Sequence, residues 1–279
     1  MSSPAFKETT LRRISPRLAV SVVTFALGLT LSAGCAIDKG TALAAEFEED
    51  WAGTPDVATI RTTKNNTLPF KGTSDGTLVV EDGTPADRVT RLAGEMREYV
   101  ARHDKITGRI MADGVTCTVV ADTRRTHEVL ALWRSLTADT RVVNADIDDA
   151  PWKEATERWR IEVTAADATG ALAVFKDMLA GGDRHQPLSG VTVLQVRGPG
   201  LFVETDFHDG FPAEAIAAYE AVLARYPVAG ASLRRDAVAG SAVDIVVAKS
   251  ADQDHARELA RKAAPNLGAA VDVTSRSAG

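Results

Sequence analysis

Cysteine is nearly absent: Cys35 and Cys117 are the only two in 279 residues. That excludes the disulfide scaffold of a small secreted domain, and the gap between them fits no metal motif. Aromatic residues make up 5% of the chain, so each one that occurs is a prominent candidate for the core. Lysine is scarce, 9 against 23 arginines, and the 32 basic and 38 acidic residues leave a net charge of −6. No basic run could follow a phosphate backbone, so a nucleic-acid partner is not expected. Also missing are Gly-x-Gly-x-x-Gly, a P-loop, Gly-x-Ser-x-Gly, His-Glu-x-x-His and Cys-x-x-Cys. With 45% hydrophobic residues, however, the chain is long and apolar enough to bury one large core or two ordinary ones. Collagen-like and wholly disordered classes are thereby excluded.

Long apolar runs are lacking too, with one exception. Residues 1–17 carry Lys7, Arg12, Arg13 and Arg17 against Glu8, and Leu18 to Ala33 then runs uncharged for 16 residues. A helix rising about 1.5 Å per residue needs about 20 residues to span a bilayer core, so this run suits a cleaved export signal better than a permanent span. It closes on Leu31-Ser32-Ala33-Gly34-Cys35. This ending resembles the lipobox of bacterial lipoprotein precursors, a likeness confined to the first 35 residues; Ser32 stands where the family most often has leucine. The resemblance implies that the Cys35 thiol receives a diacylglyceryl group and that signal peptidase II cuts before it. Two acyl chains would then hold the protein on the outer face of the cell membrane. The arginine-rich, lysine-poor composition is that of a high-GC bacterium, of the actinobacterial kind. Without residues 1–34 the chain has 28 basic and 37 acidic residues, a net of −9, and is expected to stand off an anionic bilayer. Residues 35–55, small, mixed and acidic, read as a lipid-anchored spacer, with Phe47 and Trp51 equally readable as the start of the fold.

Beyond the spacer a weak repeat recurs about every 40 residues, each unit a strand, a loop, a helix and a second strand. The first strands are Thr77 to Val80, Thr118 to Val120, Arg160 to Val163, Leu201 to Val203 and Asp244 to Val247. Apolar stripes at helical spacing follow: Val89, Leu92, Ala93, Met96 and Val100 in the first, and Val129, Leu130, Trp133 and Leu136 in the second. Thr84-Pro85, Thr164-x-x-Asp167 and Ser250-x-x-Gln253 read as helix starts. Tight turns at Ala112-Asp113-Gly114 and Gly198-Pro199-Gly200 join one unit to the next by antiparallel hairpins. The predicted class is α+β: repeated βαβ units in ferredoxin-like, split βαβ sandwiches with helices on one sheet face. The division is a signal peptide (1–34), the spacer (35–55), a first α+β domain of two units (56–148), a linker (149–157) and a second domain of three units (158–279). Val57 to Thr63 adds an edge strand, and the pattern allows two sandwiches or one continuous sheet.

Candidate chemistry is thin. Asp206, His208 and Asp209 share one loop; a histidine between carboxylates can act as a general base or help hold a divalent cation, whereas the same residues can simply shape a turn and a helix start. Acidic residues recur in the strand-to-helix loops (Glu81, Asp82, Asp122, Asp167, Asp206, Asp209, Asp252) and would form a cation-binding rim if these loops shared one edge. His103, His127 and His255 are expected at exposed helix positions, Cys117 as a small buried residue, and Trp152 and Trp159 in packing or around a solute. Cys35 is the expected lipidation site. No catalytic residue, metal or cofactor is expected. The reading is of an exported, lipid-anchored envelope protein with a binding or scaffolding body, whose partners are the membrane and envelope proteins. A solute-binding lipoprotein and an envelope hydrolase using Asp206, His208 and Asp209 are the alternatives.

Overall fold

The computed structural model describes residues 38–68, 71–149, 159–179, 184–185, 188, 191–206, 212–234 and 242–276. These form one compact unit. The expected α+β class holds, with strands alternating with helices in all five units. After helix α1 (Lys39–Trp51) come β1 (Val57–Leu68) and β2 (Lys71–Val80). The units continue through α2 (Ala86–Arg102), β3 (Ile106–Ala112), β4 (Val115–Val119), α3 (Thr123–Thr137) and β5 (Val142–Asp149). They end with β6 (Trp159–Ala165), α4 (Ala168–Leu179), β7 (Val191–Gly198), β8 (Leu201–Asp206), α5 (Ala213–Leu223), β9 (Val228–Arg234), β10 (Val243–Val247), α6 (Gln253–Ala263) and β11 (Val271–Ser275).

All eleven strands lie in one sheet, in the order in which they occur along the chain. The strands flanking each of α2 to α6 pair in parallel, and successive units meet in antiparallel pairs. Asp113 (φ 50°) and Gly114 (φ 77°) form a two-residue turn with both residues left-handed. Pro199 followed by Gly200 at φ 76° makes another short turn. The two strands of each unit pair directly with each other, leaving no gap between them, so every new unit is added at the outer edge of the sheet. This corrects the split βαβ expectation, because no strand is inserted between the two of a unit. The expected division at 149–157 falls between β5 and β6, which pair from Val142↔Ala165 to Asp149↔Trp159. One sheet and one core cluster, from Phe47 to Val273, run through it.

The helices share one face. Leu78, Ile110, Cys117, Ile147, Ile161 and Leu194 sit opposite one another in register from β2 to β7, all nearly inaccessible, beneath Leu92, Met96, Trp133, Leu136, Val174 and Phe175. Hairpins reverse the strand direction from unit to unit while the sheet grows one way and the helices stay on one side. Successive crossovers therefore alternate in hand, against the strong preference for right-handed βαβ units. In a split arrangement the second unit runs back across the sheet, and both crossovers can be right-handed.

The N-terminal segment departs from the flexible spacer expected over 35–55. Leu43, Ala44, Phe47 and Trp51 recur at helical spacing, and α1 lays Ala44, Phe47 and Trp51 into the core. Phe47 is fully buried over Gly76 of β2, where an added Cβ would lie 2.4 Å from its Cζ. At the start of the helix the Asn66 side chain accepts from the Gly40 amide at 2.8 Å and donates to Thr41 Oγ1 at 3.1 Å. Helix starts elsewhere shift by small steps. Asp167, not Thr164, caps α4, accepting from Gly170 N at 2.7 Å, because Thr164 still pairs within β6. Asp122 caps α3 in the same way through Arg125 N at 2.8 Å.

Candidate functional site

Among the described residues, those singled out in the sequence are not gathered at one place by the fold. Cys35, His208, Asp209 and Trp152 lie outside the described residues, as does the Asp206 side chain, although its backbone ends β8. Among the described residues the acidic rim is not formed. Because β4 runs opposite to β2 and β6, the loop holding Asp122 lies at the other end of the sheet from Glu81, Asp82 and Asp167. Trp159 is 3% exposed on the helix-covered face of β6, part of the core and not of a surface cleft. Cys117 is buried as expected, and burial pushes its thiol up to about 12. His127 and His255 are exposed as expected, but His103 is half-buried.

His103 belongs to the most distinctive cluster among the described residues. It caps the end of α2, its Nδ1 on the Tyr99 carbonyl at 2.9 Å and its ring stacked on Tyr99 with centroids 4.1 Å apart. Phe47 and Trp51 meet the other edges of Tyr99 at 5.5 and 5.7 Å, which closes an aromatic box between α1 and α2. Glu46 and Asp50, one turn apart on α1, stand at its mouth, and Glu46 Oε1 is 3.4 Å from His103 Nε2. The ligand atoms of Glu46, Asp50 and His103 all lie within 4.8 Å of one another. The Tyr99 hydroxyl and Trp51 Nε1 are buried without a hydrogen bond of full geometry. Burial first, then the Asp50 and Glu46 carboxylates, hold the Tyr99 phenol well above its ordinary value. Sequence reasoning missed this group because it treated 35–55 as spacer; the signal available was the helical spacing of 43, 44, 47 and 51.

A second cluster joins α3, β5 and α4. Asp139, its side chain 3% exposed, accepts from Arg141 Nε at 2.9 Å and Nη2 at 2.5 Å, and Arg141 also reaches Asp177 at 2.7 Å. His185 Nε2 donates to Asp139 Oδ2 at 2.9 Å, and His185 Nδ1 lies 3.0 Å from Ser135 Oγ. The distances are those of a serine, histidine and aspartate triad, but the surroundings are structural. His185 is 1% exposed, Ser135 Oγ also donates to Leu132 O within its own helix at 2.9 Å, and the carboxylate is committed to Arg141. Arg141 holds Asp139 far below the usual carboxylate range, its backbone N–H and His185 adding to the effect.

The face of the sheet away from the helices carries a cross-strand ladder of charge. Arg109 pairs with Asp146 and lies 3.7 Å from Asp148, which accepts from Thr118 Oγ1 at 3.1 Å. Arg160 meets Glu162 at 2.6 Å and Gln195 at 3.2 Å, and Arg197 and Arg234 flank the Phe202 ring at 5.2 and 5.4 Å. Most of these groups answer one another across the strands, while Arg109 Nε and Arg234 Nε are buried without a hydrogen bond and Thr118 and Gln195 are nearly inaccessible. At the N-terminal end of α1, Asn65, Lys71, Gly72, Thr73 and Lys105 line an open groove of about 400 Å³. Lys39 lies close enough to Lys105 for the second ammonium to lower its pKa. Among the described residues no helix is long and apolar enough to cross a membrane. No protein-family model, curated protein or solved structure matches this chain.

Proposed function

We propose that the chain is an exported envelope protein, anchored by a diacylglyceryl group on Cys35, whose α+β body binds or scaffolds at the outer face of the membrane. The observation that carries this reading is the charged segment and 16-residue apolar run closing on Leu31-Ser32-Ala33-Gly34-Cys35. Only residues 36–38 lie between Cys35 and α1, so an anchor on Cys35 would keep the start of α1 close to the bilayer. The Cα atoms of Cys35 and Lys39 are separated by at most about 14 Å of chain. A body so tethered presents the N-terminal end of α1 to the headgroups. Lys39, Lys71 and Lys105 gather at that end, within a chain that is otherwise poor in lysine and acidic overall. This local positive charge offsets the repulsion expected from the net charge of the whole.

The test is fractionation of cells making the parent and Cys35→Ala, with mass spectrometry of the mature amino terminus. Release of the variant from the membrane, and a diacylglyceryl mass on Cys35 in the parent, are the expected results. A variant processed and retained like the parent would overturn the anchor. Crosslinking in intact cells then tests the body, with specific envelope proteins expected to co-purify; no specific partner, together with a thermal shift by a small solute, would favour the solute-binding alternative.

A further inference from the structure

We propose that Glu46, Asp50 and His103 form a site for a divalent transition cation of the zinc class, bridging α1 to the end of α2. The site does not depend on the Cys35 anchor. Residues 46 and 50, one turn apart, leave the same face of α1, and the three ligand atoms already converge to within 4.8 Å of one another. With Nδ1 held on the Tyr99 carbonyl, His103 turns Nε2 outward, the second-sphere arrangement by which a ligating imidazole is oriented. Two ligands about 2.1 Å from a tetrahedral ion stand about 3.4 Å apart. That is the spacing of His103 Nε2 and Glu46 Oε1, 3.4 Å. Completing the set needs only rotation of the exposed Asp50 and Glu46 side chains.

An independent observation points into the same place. The Tyr99 hydroxyl is buried, the residue 5% exposed, and stands beside the Asp50 carboxylate without reaching full hydrogen-bond geometry to it. Water bound to a cation held by Glu46 and Asp50 would supply the missing partner. One imidazole nitrogen and two carboxylate oxygens suit zinc or manganese, lacking both the thiolates that favour softer ions and the six to eight oxygens of a calcium site. The remaining coordination positions face solvent, where a second molecule could bind the metal.

The test is calorimetric titration of the detergent-solubilised full chain, carrying no histidine tag, with zinc chloride alone and then with magnesium present in excess. One zinc per chain is expected, not displaced by magnesium, with affinity at least tenfold weaker in His103→Gln and in Glu46→Gln. Glu46 is exposed, so its variant keeps the fold, as circular dichroism will check. Tyr99→Phe is expected to weaken binding less than either ligand variant. Absence of stoichiometric zinc binding, or equal binding by the parent and both ligand variants, would overturn the site.

Discussion

Replacing Phe47 by alanine tests whether α1 belongs to the core or merely connects it to an anchor. The ring is fully buried, packed on Gly76, and touches Trp51 at 6.1 Å and Tyr99 at 5.5 Å between centroids. A phenylalanine buries about 200 Å². At about 25 cal/mol per Å² this is worth roughly 5 kcal/mol, an upper figure because unfolded chains already hide some apolar surface. Truncations of this kind cost about 3–5 kcal/mol once the cavity is included. For a folded unit of this size, about 4 kcal/mol corresponds to a fall in Tm of roughly 8–16 °C. Urea denaturation followed by circular dichroism should show the midpoint fall at nearly unchanged slope. A loss below about 1 kcal/mol, the range of surface substitutions, would refute the reasoning and restore 35–55 to the role of spacer.

The Asp139 lock predicts a definite pH dependence. Its carboxyl is held below the usual value, chiefly by Arg141, so the stability it contributes is fully present above about pH 4 and is lost as the pH falls through the depressed folded value. Asp139→Asn should lose about 3 kcal/mol at pH 7 and show a shallower decline below about pH 4 than the parent; equal acid profiles in the two proteins would contradict this. Cys117, its thiol raised to about 12 by burial, should resist alkylation at pH 8 in the native protein and react once urea unfolds it. Rapid alkylation of the native protein would show that the strand opens locally.

Much of the order of elements was written in local pattern. The alternation from β2 to β11, the stripe Val89, Leu92, Ala93 and Met96, and the turn at Asp113-Gly114 depend on residues within a few positions of one another. Periodicity of that kind is legible without knowing what packs on what. The α1 helix was readable as well, from Leu43, Ala44, Phe47 and Trp51, but its acidic outer face (Glu46, Glu48, Glu49, Asp50) made the segment look like a solvated spacer. The candidate sites were less legible because their members are distant in sequence. His103 is 53 residues from Asp50, and His185 is 46 from Asp139, so no spacing could join them.

By itself the sequence determined the α+β class and the five repeated units, since each rests on short-range periodicity. Only tertiary structure decided that the units build one eleven-stranded sheet and that successive crossovers alternate in hand. Tertiary structure likewise set α1 against α2, bringing two carboxylates to an imidazole. The physical reason is the same throughout. A hairpin or an amphipathic stripe specifies which face is buried, but not the partner that buries it; that choice is made by packing over the whole chain, where a glycine at 76 leaves room for a ring at 47.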